Sequence, residues 1–502
     1  MSRLPAITER SGRYLIAILL CIKLLLLVWN AKVYDGRTYQ PEHHSDRALF
    51  AGLKPGKLSY DPPLYYLPAR LLSRPADVPL VERSSAEASD GPDVVRPKRA
   101  TKQERAFRAE LLNLLRYSNV LWIGLFYVAW IGYAFPRLLR GRHSWFLASL
   151  LLLAIPGYQK LAAMSHPDNS LAATSAVAVC CWLWLRERWL EASANTSPAS
   201  DAGKYTRHLL LFALAIGLVG LTRPLAVAYV ASLTLVALVY AARFSAKRWN
   251  LLLPRAATVV LLVGLLSASW YVVRWHQTGA VLASVRDEVT ARYQPLRAGF
   301  PFWRYFHTFY PGELWDAPNF VLGREKDARA GNSSVAGSFP SLLHSEIWGD
   351  HWLSFSGPNQ KETKAWPKNL SMAVAYLTPL ITPLLFAAWL WTLGGRVVEL
   401  WRASAARGLE RLRGLCATFE AELVLGSICL IGAALFLCWQ TGPALMPGDN
   451  SSVKFIYVAA FFPAAIALPF TRPLEQLPSL LLAGYFLCLY LAAFPVAMFY
   501  PS

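Results

Sequence analysis

Charge is what this sequence is short of. Asp, Glu, Lys and Arg make up 16% of its 502 residues, against roughly 25% in an ordinary soluble protein. With 55% hydrophobic residues and a mean hydropathy of +0.32, that deficit argues against a soluble globular chain and for a polytopic membrane protein. Acidic residues are the scarcer sign, 31 against 50 basic, for a net charge of +19. The excess does not point to nucleic acid. Many of the Lys and Arg fall in short segments between apolar runs, where positive-inside topology wants them and where anionic lipid headgroups meet them. The seven cysteines lack any C-x-x-C spacing, which leaves no metal or disulfide framework to argue. They read as small buried apolar residues. The first apolar run has a basic leader, Arg3, Arg10 and Arg13, but no small-residue cleavage site after it, so it reads as a retained signal-anchor helix. There is no internal repeat.

What remains is a series of apolar runs. Backbone buried in a bilayer must satisfy its own hydrogen bonds, so these runs are expected to be helices. Span one covers 14–33 and places a polar segment, 34–113, on the non-cytoplasmic side. Within that segment Tyr65 to Leu72 suits an interfacial helix, 73–105 reads as a flexible insertion, and Lys102 to Arg116 as a charged helix entering the next span. Further spans are expected at 114–135, 144–158, 170–185, 208–221, 225–242 and 256–275, then at 371–393, 421–439, 454–470 and 478–498. The basic short loops fall on one side and the two long loops on the other, which makes about eleven transmembrane helices self-consistent. The expected organisation is all-α: an N-terminal membrane module over 1–275, a non-cytoplasmic loop domain over 276–369, and C-terminal membrane helices over 370–502.

The polar features crowd one face of this topology. Glu42, His43, His44, Asp46, Asp61, His166, Asp168, Arg223, Lys454 and the 276–369 loop all map to the non-cytoplasmic side. Charges at membrane ends are cheap, and each alone is unremarkable. Asp168 and Arg223 stand out because both sit between apolar runs, where an ionisable residue is a functional hypothesis by default.

The order of short motifs is more specific than any one of them. Glu42-His43-His44-Ser45-Asp46 is followed by Asp61-Pro62-Pro63-Leu64-Tyr65-Tyr66. Then come Pro167-Asp168, Leu221-Thr222-Arg223-Pro224, Trp270-Tyr271 with Arg274, and Lys454-Phe455-Ile456-Tyr457 before Pro463. The series resembles the GT-C glycosyltransferases that use polyprenyl-phosphate sugar donors, in particular the protein O-mannosyltransferase and aminoarabinose-transferase-like families. The likeness covers residues 10–280 and returns at 450–470. Glu42 to Asp46 stands where those families carry an Asp-Glu pair, and Asp61-Pro62-Pro63 where they carry His-Pro-Pro. The 73–105 insertion and the 276–369 loop match nothing in them.

The resemblance implies an inverting transfer of sugar from a lipid-linked donor to a lipid, glycan or protein acceptor, with the site periplasmic or lumenal in a bacterial inner membrane or an ER membrane. Glu42, Asp46 and Asp168 are the acidic set, one of them the base that takes the acceptor hydroxyl's proton. Arg223, Lys454, His43 and His44 are the candidates to meet charge developing on the leaving phosphate, with Tyr65 and His166 as further substrate contacts. The resemblance fixes no cofactor. A divalent metal held by His43, His44, Glu42 and Asp46 is the alternative, although successive side chains diverge. Glu346 to Trp352 offers an aromatic platform for a sugar, or simply a loop core built on Trp. The rival function is a secondary transporter or flippase for polyprenyl-linked substrates, which predicts ionisable residues near the bilayer midplane and repeated halves. A third reading is a non-catalytic relative whose outer loop binds a partner.

Overall fold

A computed structural model describes residues 9–33, 63–72, 102–139, 141, 143–163, 167–194, 202–223, 226, 229–231, 233–234, 249–278, 344, 347–348, 377–378, 380–403, 459–460, 462–471 and 479–498. Among these residues there is no strand. The helices are α1 (Glu9–Val33), α2 (Leu67–Leu72, after a 3-10 turn Pro63–Tyr65), α3 (Lys102–Tyr127), α4 (Phe135–Leu138), α5 (Ser144–Ala154), α6 (Gly157–Ala163), α7 (Asp168–Ala194), α8 (Ala202–Gly220), α9 (Trp249–Thr278), α10 (Ile381–Ala403), α11 (Phe462–Ala467, running into a 3-10 turn Leu468–Thr471) and α12 (Ser479–Met498).

Three stretches among the described residues, Arg10–Trp29, Asn113–Leu138 and Ala257–His276, are long and apolar enough to cross a bilayer, the signature of an integral membrane protein. Their faces agree. On α1 the residues Ile16, Leu19, Leu26 and Leu27 are buried, while Tyr14, Ile18, Leu25 and Trp29 are exposed. On α3 Leu121 and Leu125 are exposed, as is Val128 just beyond it, and on α9 Leu261, Leu265 and Val272. Large aliphatic side chains at helical spacing on an outer face are a liability in water and the natural surface in hydrocarbon. The inner faces meet in one apolar core drawn from α1, α3 to α9 and the C-terminal helices.

Proline sets several boundaries differently from hydropathy. The run expected as one span over 144–158 is two helices. Pro156 lacks an N–H and crowds the residue before it, so Ile155 is extended at φ −70°, ψ 115° and α5 stops at Ala154. The helix expected at 371–393 begins ten residues later, at Ile381, with Pro383 in its first turn, where its missing N–H is harmless. It then continues through Arg396 to Ala403, taking in part of the basic tract. The α3 ladder widens to a π-helix over Val128–Ala134 before α4. Two side chains take carbonyls there, Cys180 Sγ on Ala129 O at 3.4 Å and Trp145 Nε1 on Ile131 O at 2.9 Å. Side chains from neighbouring helices thus occupy groups that an altered ladder leaves open.

The first and last described helices touch. Tyr490 of α12 donates from its hydroxyl to Leu19 O of α1 at 2.8 Å, and its ring lies 5.8 Å from Lys23 Nζ. Lys23 is 1% exposed, in the middle of α1.

Candidate functional site

The site is built at the first residue of α7 and the turn that ends α8. Pro167 closes the preceding loop, and its carbonyl accepts from Leu171 N at 3.1 Å and Ser170 Oγ at 2.7 Å, which fixes the first turn of α7. Asn169 Nδ2 donates to Leu161 O at 2.9 Å and ties that turn to α6. Asp168 therefore sits at a helix N-terminus, where a carboxylate meets the positive end of the dipole. On α8, Gly220 is followed by a tight turn in which Leu221 N and Thr222 N donate to Leu218 O and Val219 O, both at 3.1 Å. Thr222 Oγ1 closes on Val219 O at 2.6 Å. The turn delivers Arg223, whose guanidinium Nη1 donates to Asp168 Oδ2.

The two partners are unequally covered. The Asp168 side chain is 0% exposed and that of Arg223 18% exposed. The carboxylate is enclosed, and the arginine side chain keeps part of its surface accessible. The backbone of Arg223 is also held, since its carbonyl accepts from Ala226 N at 3.0 Å and from the Tyr271 hydroxyl of α9 at 3.4 Å. Tyr229, buried, lies within electrostatic range of both Asp168 and Arg223.

The first loop reaches the same place. Leu64 N donates to Leu221 O at 3.3 Å, a contact between segments far apart in sequence, which brings the Pro63–Tyr65 turn against the Arg223 turn. Tyr65 is fully buried, and its hydroxyl donates to Asn119 Oδ1 of α3 at 3.1 Å. Next to it, Tyr66 packs edge-on at 5.0 Å. Tyr65 thus belongs to the wall of the site. At the outer end of α9, Arg274 lies 5.2 Å over the Trp270 ring and is 8% exposed.

A second ion pair marks the opposite end of α7. Arg137 of α4 meets Glu187 at 2.9 Å, and its guanidinium lies 3.6 Å from the Tyr133 ring. Asp168 and Glu187 are nineteen residues apart on one helix, about 28 Å at 1.5 Å per residue. The hydrocarbon core of a bilayer is roughly 30 Å thick. The separation of the two pairs along α7 is thus close to that thickness.

No protein-family model, no curated protein and no solved structure matches this chain. The site is read from its own chemistry.

Of the residues assigned a catalytic or substrate-binding role in sequence, Asp168, Arg223 and Tyr65 are described. Asp168 and Arg223 pair directly, and Tyr65 sits on the segment that docks beside them. Glu42, His43, His44, Asp46, Asp61, His166 and Lys454 lie outside the described residues, as does most of the 276–369 loop. The metal alternative falls on the same first-loop residues. Among the described residues no group of three or more His, Cys, Asp and Glu could hold a metal ion. Sequence reading passed over Asn119 and Tyr229. The signal for Asn119 was present, since a lone amide inside an apolar span needs a buried partner. Tyr229 carried none, being one aromatic among many in an apolar run.

Proposed function

We propose that this protein is an integral-membrane inverting glycosyltransferase that moves a sugar from a polyprenyl-phosphate carrier to an acceptor on the non-cytoplasmic face. The observation that carries this reading is the Asp168–Arg223 pair, with its carboxylate enclosed and its arginine side chain partly exposed, beside the Pro63–Tyr65 turn, which follows Glu42 to Asp46 in sequence. A lipid-linked phosphate waits at the membrane surface while its prenyl chain stays in hydrocarbon, so a cation anchored at that surface is where such a donor needs one. Charge develops on the phosphate as the glycosidic bond breaks, and a guanidinium already held in place stabilises it without reorganising.

Asp168 is then the residue that holds Arg223. A carboxylate fully covered and engaged with a guanidinium is badly placed to meet an acceptor hydroxyl. The proton falls to Glu42 or Asp46, each of which has the chemistry of a general base. Displacement at the anomeric carbon inverts it in one step and needs no enzyme nucleophile.

The test is binding and transfer by the purified chain in lipid nanodiscs. Undecaprenyl monophosphate is expected to bind, Arg223→Ala to weaken it at least tenfold, and lipid-phosphate sugars to co-purify in mass spectra. Glu42→Gln or Asp46→Asn is expected to abolish transfer with binding retained. A wild-type chain that binds no polyprenyl phosphate sinks the reading.

One observation favours the transporter or flippase reading. Lys23 is an ionisable residue buried in the middle of α1, and among the described residues it makes no ion pair. Such residues mark substrate or proton paths in transporters. Movement of a labelled polyprenyl-phosphate lipid across proteoliposomes, lost in Lys23→Met, would move the conclusion there.

A further inference from the structure

The contact between α8 and α9 has a regular register. A Cβ on Gly217 would meet Leu266 Cδ1 at 2.7 Å and Cβ at 2.8 Å, and one on Gly220 would meet Ser267 Cβ at 2.6 Å and Cα at 3.3 Å. Ser267 Oγ reaches Gly217 O at 3.4 Å. Three residues beyond Gly220, on one side of this contact, is Arg223. Four residues beyond Ser267, on the other, is Tyr271, whose hydroxyl touches the Arg223 carbonyl. Positions 267 and 271 of a helix share a face, so the close approach at Gly220 is what brings Tyr271 to the turn. The glycines let two backbones meet without an intervening side chain, as small residues do between membrane helices.

We propose that Tyr271 is a positioning residue for Arg223, and that the Gly217–Gly220 seam sets its reach. This deepens the transferase reading and, for its effect on the donor, rests on it. Arg223 lies in the turn just past the end of α8, ahead of the helical residue Ala226. Among the described contacts that carbonyl accepts from Ala226 N at 3.0 Å in its own segment and, in a longer contact of 3.4 Å, from the Tyr271 hydroxyl of the neighbouring helix. Of these two, the second links the turn to a different element, and so fixes where the guanidinium starts relative to the rest of the bundle. With that start fixed, Arg223 meets Asp168 while part of its side chain stays accessible to a phosphate.

Two measurements test this. The first needs no ligand: thermal unfolding of Tyr271→Phe, Asp168→Asn and the double variant. If Tyr271 acts through Arg223, the two losses are non-additive, because both report on one guanidinium. Strict additivity makes Tyr271 ordinary packing and overturns the proposal. The second is the binding of undecaprenyl monophosphate in nanodiscs. Tyr271→Phe is expected to weaken it about two- to tenfold, the range of one net hydrogen bond, and to have no further effect in an Arg223→Ala background. Wild-type affinity in Tyr271→Phe, or an equal loss in both backgrounds, overturns the proposal while leaving the transferase reading intact. A wild-type chain that binds no polyprenyl phosphate removes the transferase reading instead, and the unfolding cycle still decides the role of Tyr271.

Discussion

Replacing Gly220 with alanine tests how the site is held. A methyl there comes 2.6 Å from Ser267 Cβ and 3.3 Å from Ser267 Cα, whereas non-bonded carbons rest at roughly 3.5–4.0 Å. The serine hydroxyl can rotate away, but Cβ and Cα are fixed to the α9 backbone. Relief requires α8 and α9 to part by about 1 Å to restore carbon contact distances. That movement takes the Tyr271 hydroxyl, now 3.4 Å from Arg223 O, beyond hydrogen-bond range. Overpacking of this kind costs about 1–3 kcal/mol, to be read as the unfolding free energy of Gly220→Ala in bicelles. Ser267→Gly in the same chain removes both the hydroxyl and Cβ and leaves only the approach to Cα. The double variant is expected to recover most of the loss, less about 0.5–1 kcal/mol for a second helix-interior glycine. Gly264→Ala is the control, since its methyl meets nothing within 4 Å, and it is expected to leave stability equal or slightly raised. If Gly220→Ala unfolds like the wild type, or Ser267→Gly gives no rescue, the seam does not hold the site.

Other expectations rest on the same geometry. Arg223→Ala leaves a carboxylate with no exposure, a loss of about 3–5 kcal/mol. Asp168→Ala leaves an arginine whose side chain is already partly exposed, a loss of about 1–3 kcal/mol; equal losses in unfolding assays would contradict the described burial. His344 is buried outside the spans, its Nδ1 2.8 Å from Thr382 Oγ1 of α10, and burial pulls its imidazole down to about 4 from 6.5. The folded state then binds fewer protons than the unfolded one between those values. Its contribution is complete above pH 6.5 and lost as pH falls towards 4, by about 2 kcal/mol midway through that window. Hydrogen exchange around Ile347 and Trp348 should rise over that window, and His344→Asn should flatten the dependence. Lys23→Met is expected to keep or raise the unfolding free energy, because an apolar side chain of similar length replaces a buried amine without an ion-pair partner among the described residues. A clear fall in stability would show that the amine is satisfied by a group elsewhere.

The parts of the fold legible in sequence are those set by local chemistry. The apolar runs at α1, α3, α8, α9 and α12 were visible because bilayer helices need long uncharged stretches. Asp168 and Arg223 were visible as charges where charge is rare. Break positions were harder. Hydropathy runs smoothly through Ile155 and Pro156, and only the backbone consequence of proline divides that run into α5 and α6. The start of α10 at Ile381 was hidden for the same reason, since Leu377 to Leu380 is as apolar as the first turn of α10 itself.

Composition and order of residues by themselves determined that this chain belongs in a bilayer and that its apolar helices carry little charge. Those properties belong to single segments and are set by the solvent each must face. Only the tertiary structure decided that Asp168 meets Arg223 across 55 residues, with Leu64 and Tyr271 closing on the same turn. A charge at a helix end looks the same in sequence whether it faces water or a partner. What distinguishes the two is how neighbouring elements pack, and here the first residue of α7 and the turn after α8 bring carboxylate and guanidinium together.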